Sequence, residues 1–441
     1  VTSSTRDREI LRLALPAFGA LIAEPLYVLA DTAVVGHLGT AELGGLAVAS
    51  SILLTGYAVF IFLAYGTTAA VSRLIGAGDE RAAAHQAVQS IWLALCIAAV
   101  LVPVGLLAAG SLVRLLGATG DVATNAETYL RISMFGVPAL LVVLAGTGYL
   151  RGRQDTLTPL AVALGSNVVN LALELLFIPV LGYGIGASAL GTVIAQTGAA
   201  LVYVVRVVGP VRRLDVAVTP DPPVIGRLAR TGGPLLVRTA ALRGALLGAI
   251  AIAAGMGAVE VAAYSIAYET WNFLALALDA IAIAAQAIVG KDLGAGDDTG
   301  ARAIARRMLW FGLLTGALVG ALVLATRLVL PHVFSNDDQV VALSSFALLF
   351  VAAFQPMNGV VFVLDGILIG AGDLRYMAGA MVAAAVVFAA GGAAVVWFDL
   401  GIGWLWTVIG LFMFTRLATL GVRFRSGNWA IVGATVPKSH P

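Results

Sequence analysis

The sequence predicts an all-α integral membrane protein: twelve transmembrane helices in two pseudo-twofold-related six-helix bundles around a central cleft. Three observations carry that prediction. The 441 residues are 60% hydrophobic and only 11% charged, with a mean hydropathy of +0.98. Soluble domains carry roughly 25% charged residues, so this chain lacks the polar surface to cover a water-soluble body of its size. The apolar residues fall into runs that match a ~30 Å hydrocarbon core, which takes about 20 helical residues to cross. The two halves of the chain also resemble one another at a constant spacing of 218 residues.

The spans follow in order. Span 1, near Leu11–Leu38, follows Arg6 and Arg8 and includes Arg12. It is too long for a signal peptide and lacks a small-residue cleavage site, so it is expected to remain as a helix. Span 2 lies near Leu43–Val71, and a loop with Arg73, Gly76-Ala77-Gly78-Asp79 and Arg81 leads to span 3, near Val88–Leu107. Span 4, near Leu130–Leu150, ends on Arg151 and Arg153; spans 5 (Leu157–Val180) and 6 (Gly186–Val208) complete a first lobe, 1–208. A linker at 209–225 is rich in proline (Pro210, Pro220, Pro222, Pro223) and arginine. Spans 7 to 12 then lie near Gly232–Gly255, Val261–Val289, Met308–Leu330, Ala342–Ile369, Met377–Trp397 and Gly401–Val422, in a second lobe, 226–441.

Charge gives the sidedness. The termini and the loops after even-numbered spans, with Lys438 included, hold twenty Lys and Arg residues; the other side holds Arg114, Arg131 and Arg327. Positive residues stay inside, so both termini are expected in the cytoplasm of a multi-pass protein in the cell (plasma) membrane. A net charge of +2 with no basic block excludes nucleic acid as a partner. The single cysteine, Cys96, excludes a disulfide framework and a thiolate metal site. No HExxH, GxSxG or P-loop pattern occurs, so an enzyme is not expected, nor a cofactor or metal beyond a coupling ion. The histidines His37, His85, His332 and His440 are scattered, and His37 reads as an interfacial cap.

The repeat pairs Arg12-to-Pro16 with Arg230-to-Pro234, Gly39 with Gly257, Glu42 with Glu260, and Gly76-Ala77-Gly78-Asp79 with Gly294-Ala295-Gly296-Asp297. It also pairs Gly148, Leu150, Gly152 and Asp155 with Gly366, Leu368, Gly370 and Asp373. Six spans per half is an even number, so both halves enter the membrane in one orientation, related by an axis along its normal. Such a duplication suits alternating access. Asp297-Asp298 repeats Asp79-Glu80, which points to a structural or gating loop rather than an Asp-rich catalytic motif.

Ionisable residues inside the spans cost at least ~2.5–3.5 kcal/mol each on insertion scales and demand a partner or a function. Glu24 and Asp31 stand seven residues apart in span 1, nearly two turns, on one face; Asn167, Asn170 and Glu174 share a face of span 5. No Arg or Lys lies at that depth in the first half. Carboxyls with amide and hydroxyl neighbours but no fixed counter-cation either stay protonated or take a mobile cation, as proton or sodium coupling requires. The repeat partners of Asp31, Asn170 and Glu174 are Ala249, Phe388 and Gly392. The second half carries Arg238 and Arg243 in span 7, Glu269 and Asp279 in span 8, and Asp365 in span 10, which read equally as buried ion pairs or as a substrate or proton site. Pro16 and Pro25 flank Glu24 in span 1 and favour a helix that bends.

Four segments carry a family resemblance. They are Pro25-Leu26-Tyr27-Val28-Leu29-Ala30-Asp31-Thr32-Ala33-Val34-Val35-Gly36-His37-Leu38-Gly39, Asn167-Val168-Val169-Asn170-Leu171-Ala172-Leu173-Glu174, Gly184-Ile185-Gly186-Ala187-Ser188-Ala189-Leu190-Gly191-Thr192 and Asp365-Gly366-Ile367-Leu368-Ile369-Gly370-Ala371-Gly372-Asp373. Together they resemble the multidrug and toxic compound extrusion (MATE) transporters, in particular the DinF branch. The resemblance implies a secondary antiporter that exports small, amphipathic, mostly cationic organic compounds in exchange for inward H⁺, or Na⁺ in other branches. It implies an N-lobe cation site of Asp31, Asn170, Glu174 and Thr192, and a bend of span 1 at Pro16. Glu174 stands where many relatives have Asp, which favours H⁺. Glu24 is an acid the pattern does not require. A monomer in contact with membrane lipid is expected. The alternative of the same superfamily is a flippase for a lipid-linked precursor, which needs Arg238 and Arg243 as a cationic cavity.

Overall fold

The computed structural model describes residues 3–434; Lys438 and His440 lie outside them. Fourteen α-helices account for nearly all of that length. α1 (Ser3–Gly36) runs unbroken through Pro16 and Pro25. Each proline deprives the carbonyl four residues earlier, on Arg12 or Leu21, of its helical donor. α2 (Thr40–Phe60) and α3 (Phe62–Gly76) meet at Ile61 and together form one membrane-length segment. α4 (Glu80–Leu115) follows.

The fourth span differs most from its sequence reading. It is a bent pair, α5 (Gly120–Met134) and α6 (Val137–Gly152), with 53° between them. The break falls where Pro138 occupies the first turn of α6, a position that needs no N–H donor. The polar start of α5 (Asp121, Thr124, Asn125, Glu127, Thr128) hid its first two turns from a search for apolar runs. α7 (Leu157–Leu175) continues through a π turn at Leu176–Val180 around Pro179. α8 (Ile185–Arg213) and α9 (Pro222–Met256) run deeper into the proline-rich segment than the apolar runs do, leaving 214–221 between them. That stretch lies along α4: Trp92 donates to the Val218 carbonyl at 2.8 Å, and buried Gln89 donates to Thr219 at 3.0 Å and accepts from the Asp221 N–H at 2.8 Å.

α10 (Ala258–Gly294), α11 (Asp298–Thr326), α12 (Asp338–Gly370), α13 (Leu374–Trp397) and α14 (Ile402–Ser426) complete the chain. Among the described residues, eleven segments are long and apolar enough to cross a membrane, and twelve when the bent α5–α6 pair counts as one.

The 218-residue repeat is visible in backbone detail. Gly39 and Gly257 precede α2 and α10 with φ of 156° and 155°, a conformation that favours glycine. Asp79 and Asp297 cap α4 and α11 by accepting from the N–H groups of Ala82 and Gly300, both at 2.8 Å. The Gly300 N–H and the Thr299 hydroxyl hold the Asp297 carboxyl below its usual range. The loop acids thus have a helix-capping role. Gly148 lies so close to α3 that an added Cβ would stand 2.5 Å from the Ala64 carbonyl; a Cβ on its repeat partner Gly366 would press on the Ala282 carbonyl in the same way.

The chain divides into two compact units, residues 15–232 and residues 233–434 with 3–14. In the first, α2 packs on α5 and α3 on α6, around cores that include Val35, Leu46, Tyr129 and Ile185, and Val71, Tyr149 and Tyr203. In the second, α10 and α12 form the centre and α11 packs on α12.

Candidate functional site

The first unit gathers its polar membrane residues at one place. α1 contributes Tyr27 and Asp31, four residues apart; α7 contributes Asn170 and Glu174, four apart; α8 contributes Ser188 and Thr192, four apart. On each helix that spacing stacks two side chains on one face, a turn from each other. Asp31, Asn170, Glu174 and Ser188 are 5%, 4%, 0% and 0% exposed, while Tyr27 and Thr192 at the edge of the group are half-buried.

The hydrogen bonds run as a network. The Tyr27 hydroxyl donates to Glu174 Oε1 at 2.9 Å and accepts from Asn170 Nδ2 at 2.6 Å. Asn170 Nδ2 also donates to the Thr192 hydroxyl at 3.1 Å, and Thr192 donates to the Ser188 carbonyl at 3.1 Å. The Ser188 hydroxyl lies 3.0 Å from Asp31 Oδ1 and 3.3 Å from Glu174 Oε1. The two carboxyls thus share one hydroxyl neighbour, Ser188. Among the described residues neither acid forms an ion pair with a basic side chain. Asn170 Oδ1 and Glu174 Oε2 are buried without a hydrogen-bond partner. Gly191 admits this packing: a Cβ there would lie 3.1 Å from Asn170 Oδ1.

All four residues of the expected N-lobe site, Asp31, Asn170, Glu174 and Thr192, therefore come together. Tyr27 and Ser188, which the sequence shows only within the family-like segments, belong with them. Their i, i+4 spacing with Asp31 and Thr192 was the available signal. Asn167 stands beside the group and donates to the Ala23 carbonyl at 2.8 Å, fixing α7 to α1 next to Pro25. Glu24 is exposed and not part of the network. Although it shares a helix face with Asp31, seven residues place it about 10 Å away along the axis. His37 Nδ1 lies 2.6 Å from the Ala33 carbonyl at the end of α1.

The repeat-related positions of the second unit contain no such network. Tyr27, Asp31, Asn170 and Glu174 correspond to Ala245, Ala249, Phe388 and Gly392. The Phe388 ring fills the space, packing edge-on against Phe412 at 6.3 Å and reaching Gly248.

Asp365 in the second unit accepts from Arg238 at 2.6 Å and from Arg416 of α14 at 2.5 Å. The expected set of two span-7 arginines facing three acids is thus corrected: the second arginine on Asp365 is Arg416. Arg243 lies five residues after Arg238, which turns it about 140° around the helix, and it is exposed. Glu269 is also exposed, and Asp279 is engaged rather than free. Arg238, tied to a carboxylate, is not a free cation for a pyrophosphate.

The fold has a counterpart among known proteins. The MatE family model matches residues 16–176 and 234–394, two segments offset by the repeat spacing of 218. The chain is 32% identical to Protein DETOXIFICATION 44, chloroplastic, of Arabidopsis thaliana, over 98% of its own length and 85% of that protein's. It is 28% identical to DNA damage-inducible protein F of Escherichia coli strain K12, over 97% and 95%. Its fold matches the outward-facing conformation of a multidrug resistance MATE family transporter of the MOP superfamily with a TM-score of 0.86 at 21% identity, covering 97% of this chain and 96% of that one. Matched by the family model in both halves, this multi-pass membrane protein belongs to the MATE (MatE) transporter family.

Proposed function

We propose that the protein is a secondary antiporter of the DinF branch that exports small, amphipathic, mostly cationic organic compounds across the cell (plasma) membrane in exchange for inward H⁺. One observation carries the coupling assignment: Asp31 and Glu174 are buried around the same Ser188 hydroxyl and have no basic partner among the described residues. A site of this kind takes up and releases a proton, which a carboxylate held ionised by a salt bridge does not. The substrate class rests on the family and on the relatives it contains.

The mechanism follows from the three helices that meet there. A proton arriving from outside binds the Asp31–Glu174 pair. The proton changes which of the Tyr27, Ser188 and Thr192 hydroxyls donates and which accepts, and so resets α1 against α7 and α8. α1 has two carbonyls freed by Pro16 and Pro25, so it bends there at low cost. Substrate leaves outward as α1 changes shape. The lobes alternate, the proton leaves inward, and a new substrate enters. Asn170 and Thr192 hold the pair in register through both states.

Sodium is the second reading, favoured by the two unpartnered oxygens, Asn170 Oδ1 and Glu174 Oε2. Purified protein in liposomes loaded with a lipophilic cationic dye separates the two. A pH gradient alone drives dye movement if the ion is H⁺; movement only under a Na⁺ gradient replaces H⁺ with Na⁺ at the same site.

A further inference from the structure

The proline-rich segment between α8 and α9 is held by one face of α4. Thr219 and Asp221 each precede a proline, which keeps them extended and leaves their backbone groups free to bond elsewhere. α4 presents Arg81, His85 and Gln89 at intervals of four, one above another, with Trp92 three residues on. Arg81 donates to the Asp215 carbonyl at 3.0 Å, Trp92 to that of Val218 at 2.8 Å and Gln89 to that of Thr219 at 3.0 Å. Val216 joins the buried cluster that includes Ala84, Ala87 and Val88 of α4. Asp221 then starts α9: its Oδ1 accepts from the Val224 N–H at 3.3 Å and its carbonyl from the Ile225 N–H at 2.9 Å. Within α9 the chain passes from the first unit to the second.

His85 stands in this row between two alternative partners. Its Nε2 lies 3.2 Å from Gln89 Nε2 and 3.8 Å from Asp221 Oδ2. The orientation of the Gln89 amide is fixed, because its oxygen accepts from the Asp221 N–H at 2.8 Å while its nitrogen donates to Thr219. Gln89 therefore aims an N–H at His85 Nε2, which must offer a lone pair, so the arrangement holds a neutral imidazole with its proton on Nδ1. A proton on Nε2 sets donor against donor. It breaks the bond to Gln89 and leaves the Nε2–H with the Asp221 carboxylate, whose Oδ2 takes no part in the cap of α9. The other charges at this end of α4 are engaged. Asp79 caps α4, Glu80 binds Arg213 of α8 at 2.6 Å, and Arg81, one turn before His85, holds the Asp215 carbonyl. Among the described residues Asp221 is the carboxylate within ion-pair distance of His85. The repeat partners of His85 and Gln89 are Ala303 and Arg307, so the arrangement belongs to this unit.

We propose that His85 and Asp221 form a pH-sensitive latch: on protonation His85 Nε2 passes from Gln89 to Asp221 and ties the start of α9 to α4 by an ion pair. Histidine is the side chain that changes charge between about pH 5 and 8. The pair needs a protonated imidazole and an ionised carboxylate. It is therefore present below the histidine range and above the carboxylate range, and it is lost as the pH rises through the former. On the antiport reading above, protons are released on the side where this segment lies, so the latch tightens as they accumulate there. That consequence rests on the antiport reading; the latch itself does not.

Hydrogen–deuterium exchange of the full-length protein in detergent, followed in peptides covering 214–225, tests the latch. His85→Gln removes the switching charge, and Asp221→Asn removes its partner while keeping a side chain that caps a helix. Comparing the proteins at one pH cancels the intrinsic pH dependence of exchange. At pH 8 all three are expected to exchange alike. At pH 5.5 the wild type is expected to exchange about two- to fivefold more slowly than either variant, the range of a part-exposed ion pair. Equal exchange at pH 5.5, or the same difference at both pH values, overturns the proposal. Slowing that His85→Gln loses but Asp221→Asn keeps overturns the assigned partner. Where a variant does not fold, the wild type decides alone: protection of this segment relative to intrinsic rates rises from pH 8 to pH 5.5, and protection that stays constant or falls overturns the latch.

Discussion

The hydroxyl of Ser188 lies 3.0 Å from the carboxyl of Asp31, and the same oxygen is 3.3 Å from Glu174. A hydroxyl has a single proton to donate. It bonds both acids at once only when one of them brings a proton of its own, so the arrangement is complete in the protonated site and incomplete in the doubly ionised one. Ser188→Ala removes this reporter of protonation. The expected outcome is a loss of coupled transport of about tenfold or more, matching the about 1–3 kcal/mol cost of an abandoned buried acceptor, with normal yield of folded protein. Transport at the wild-type rate removes Ser188 from the site.

Tyr27→Phe is predicted to act on two partners together, since the hydroxyl donates to Glu174 and accepts from Asn170. The double variant Tyr27→Phe with Asn170→Leu is therefore expected to lose less than the sum of the two single variants. A double-mutant cycle on transport rate measures this coupling, and strict additivity contradicts it.

The glycines at the helix crossings give a stability prediction. Gly148→Ala and Gly366→Ala each push a methyl group onto a backbone carbonyl, of Ala64 and Ala282, which has no side-chain freedom to yield. Each is expected to cost about 1–3 kcal/mol, seen as a lowered thermal midpoint in detergent. Gly198→Ala, where an added Cβ meets nothing within 4 Å, is the silent control.

Asp365 is predicted to be a stability residue before it is a transport residue. Asp365→Ala leaves Arg238 and Arg416 without their shared carboxylate in a buried setting, and breaking such a group costs about 3–5 kcal/mol. A thermal midpoint equal to wild type, with altered transport, assigns Asp365 to substrate instead.

The cap of α11 has a defined pH dependence. The Asp297 carboxyl is held below its unfolded value of 3.8 by the Gly300 N–H and the Thr299 hydroxyl. Its contribution is therefore fully present above that value and is lost as the pH falls through the lower folded value. Asp297→Ala is expected to cost about 1 kcal/mol at pH 7, and nothing once wild type is itself protonated. Thermal unfolding at both pH values checks it.

Much of this structure is legible in the sequence, for physical reasons. A carboxyl in an apolar run is conspicuous because it is costly, so Asp31 and Glu174 stand out, and the i, i+4 geometry of a helix links Asn170 to Glu174 locally. The 218-residue repeat survives because glycine alone fits the positive φ at Gly39 and Gly257 and the close crossings at Gly148 and Gly366. What escapes the sequence depends on register between distant helices. Arg416 meets Asp365 across 51 residues, and no local spacing reveals that α14 lies against α12 at that height. Ser188 is an ordinary small residue until α8 brings it against Asp31 of α1 and Glu174 of α7. The bend before Pro138 is likewise illegible from the residue alone, because its repeat partner Pro356 sits inside an unbroken α12.

The most direct test of proton coupling at Asp31 is dye export by Asp31→Asn in proteoliposomes under an imposed pH gradient, alongside wild type. The expected result is that the variant folds and lets dye equilibrate down its own gradient, yet fails to concentrate dye against it, while wild type does so. Uphill export by Asp31→Asn, driven by the pH gradient at the wild-type rate, contradicts the assignment.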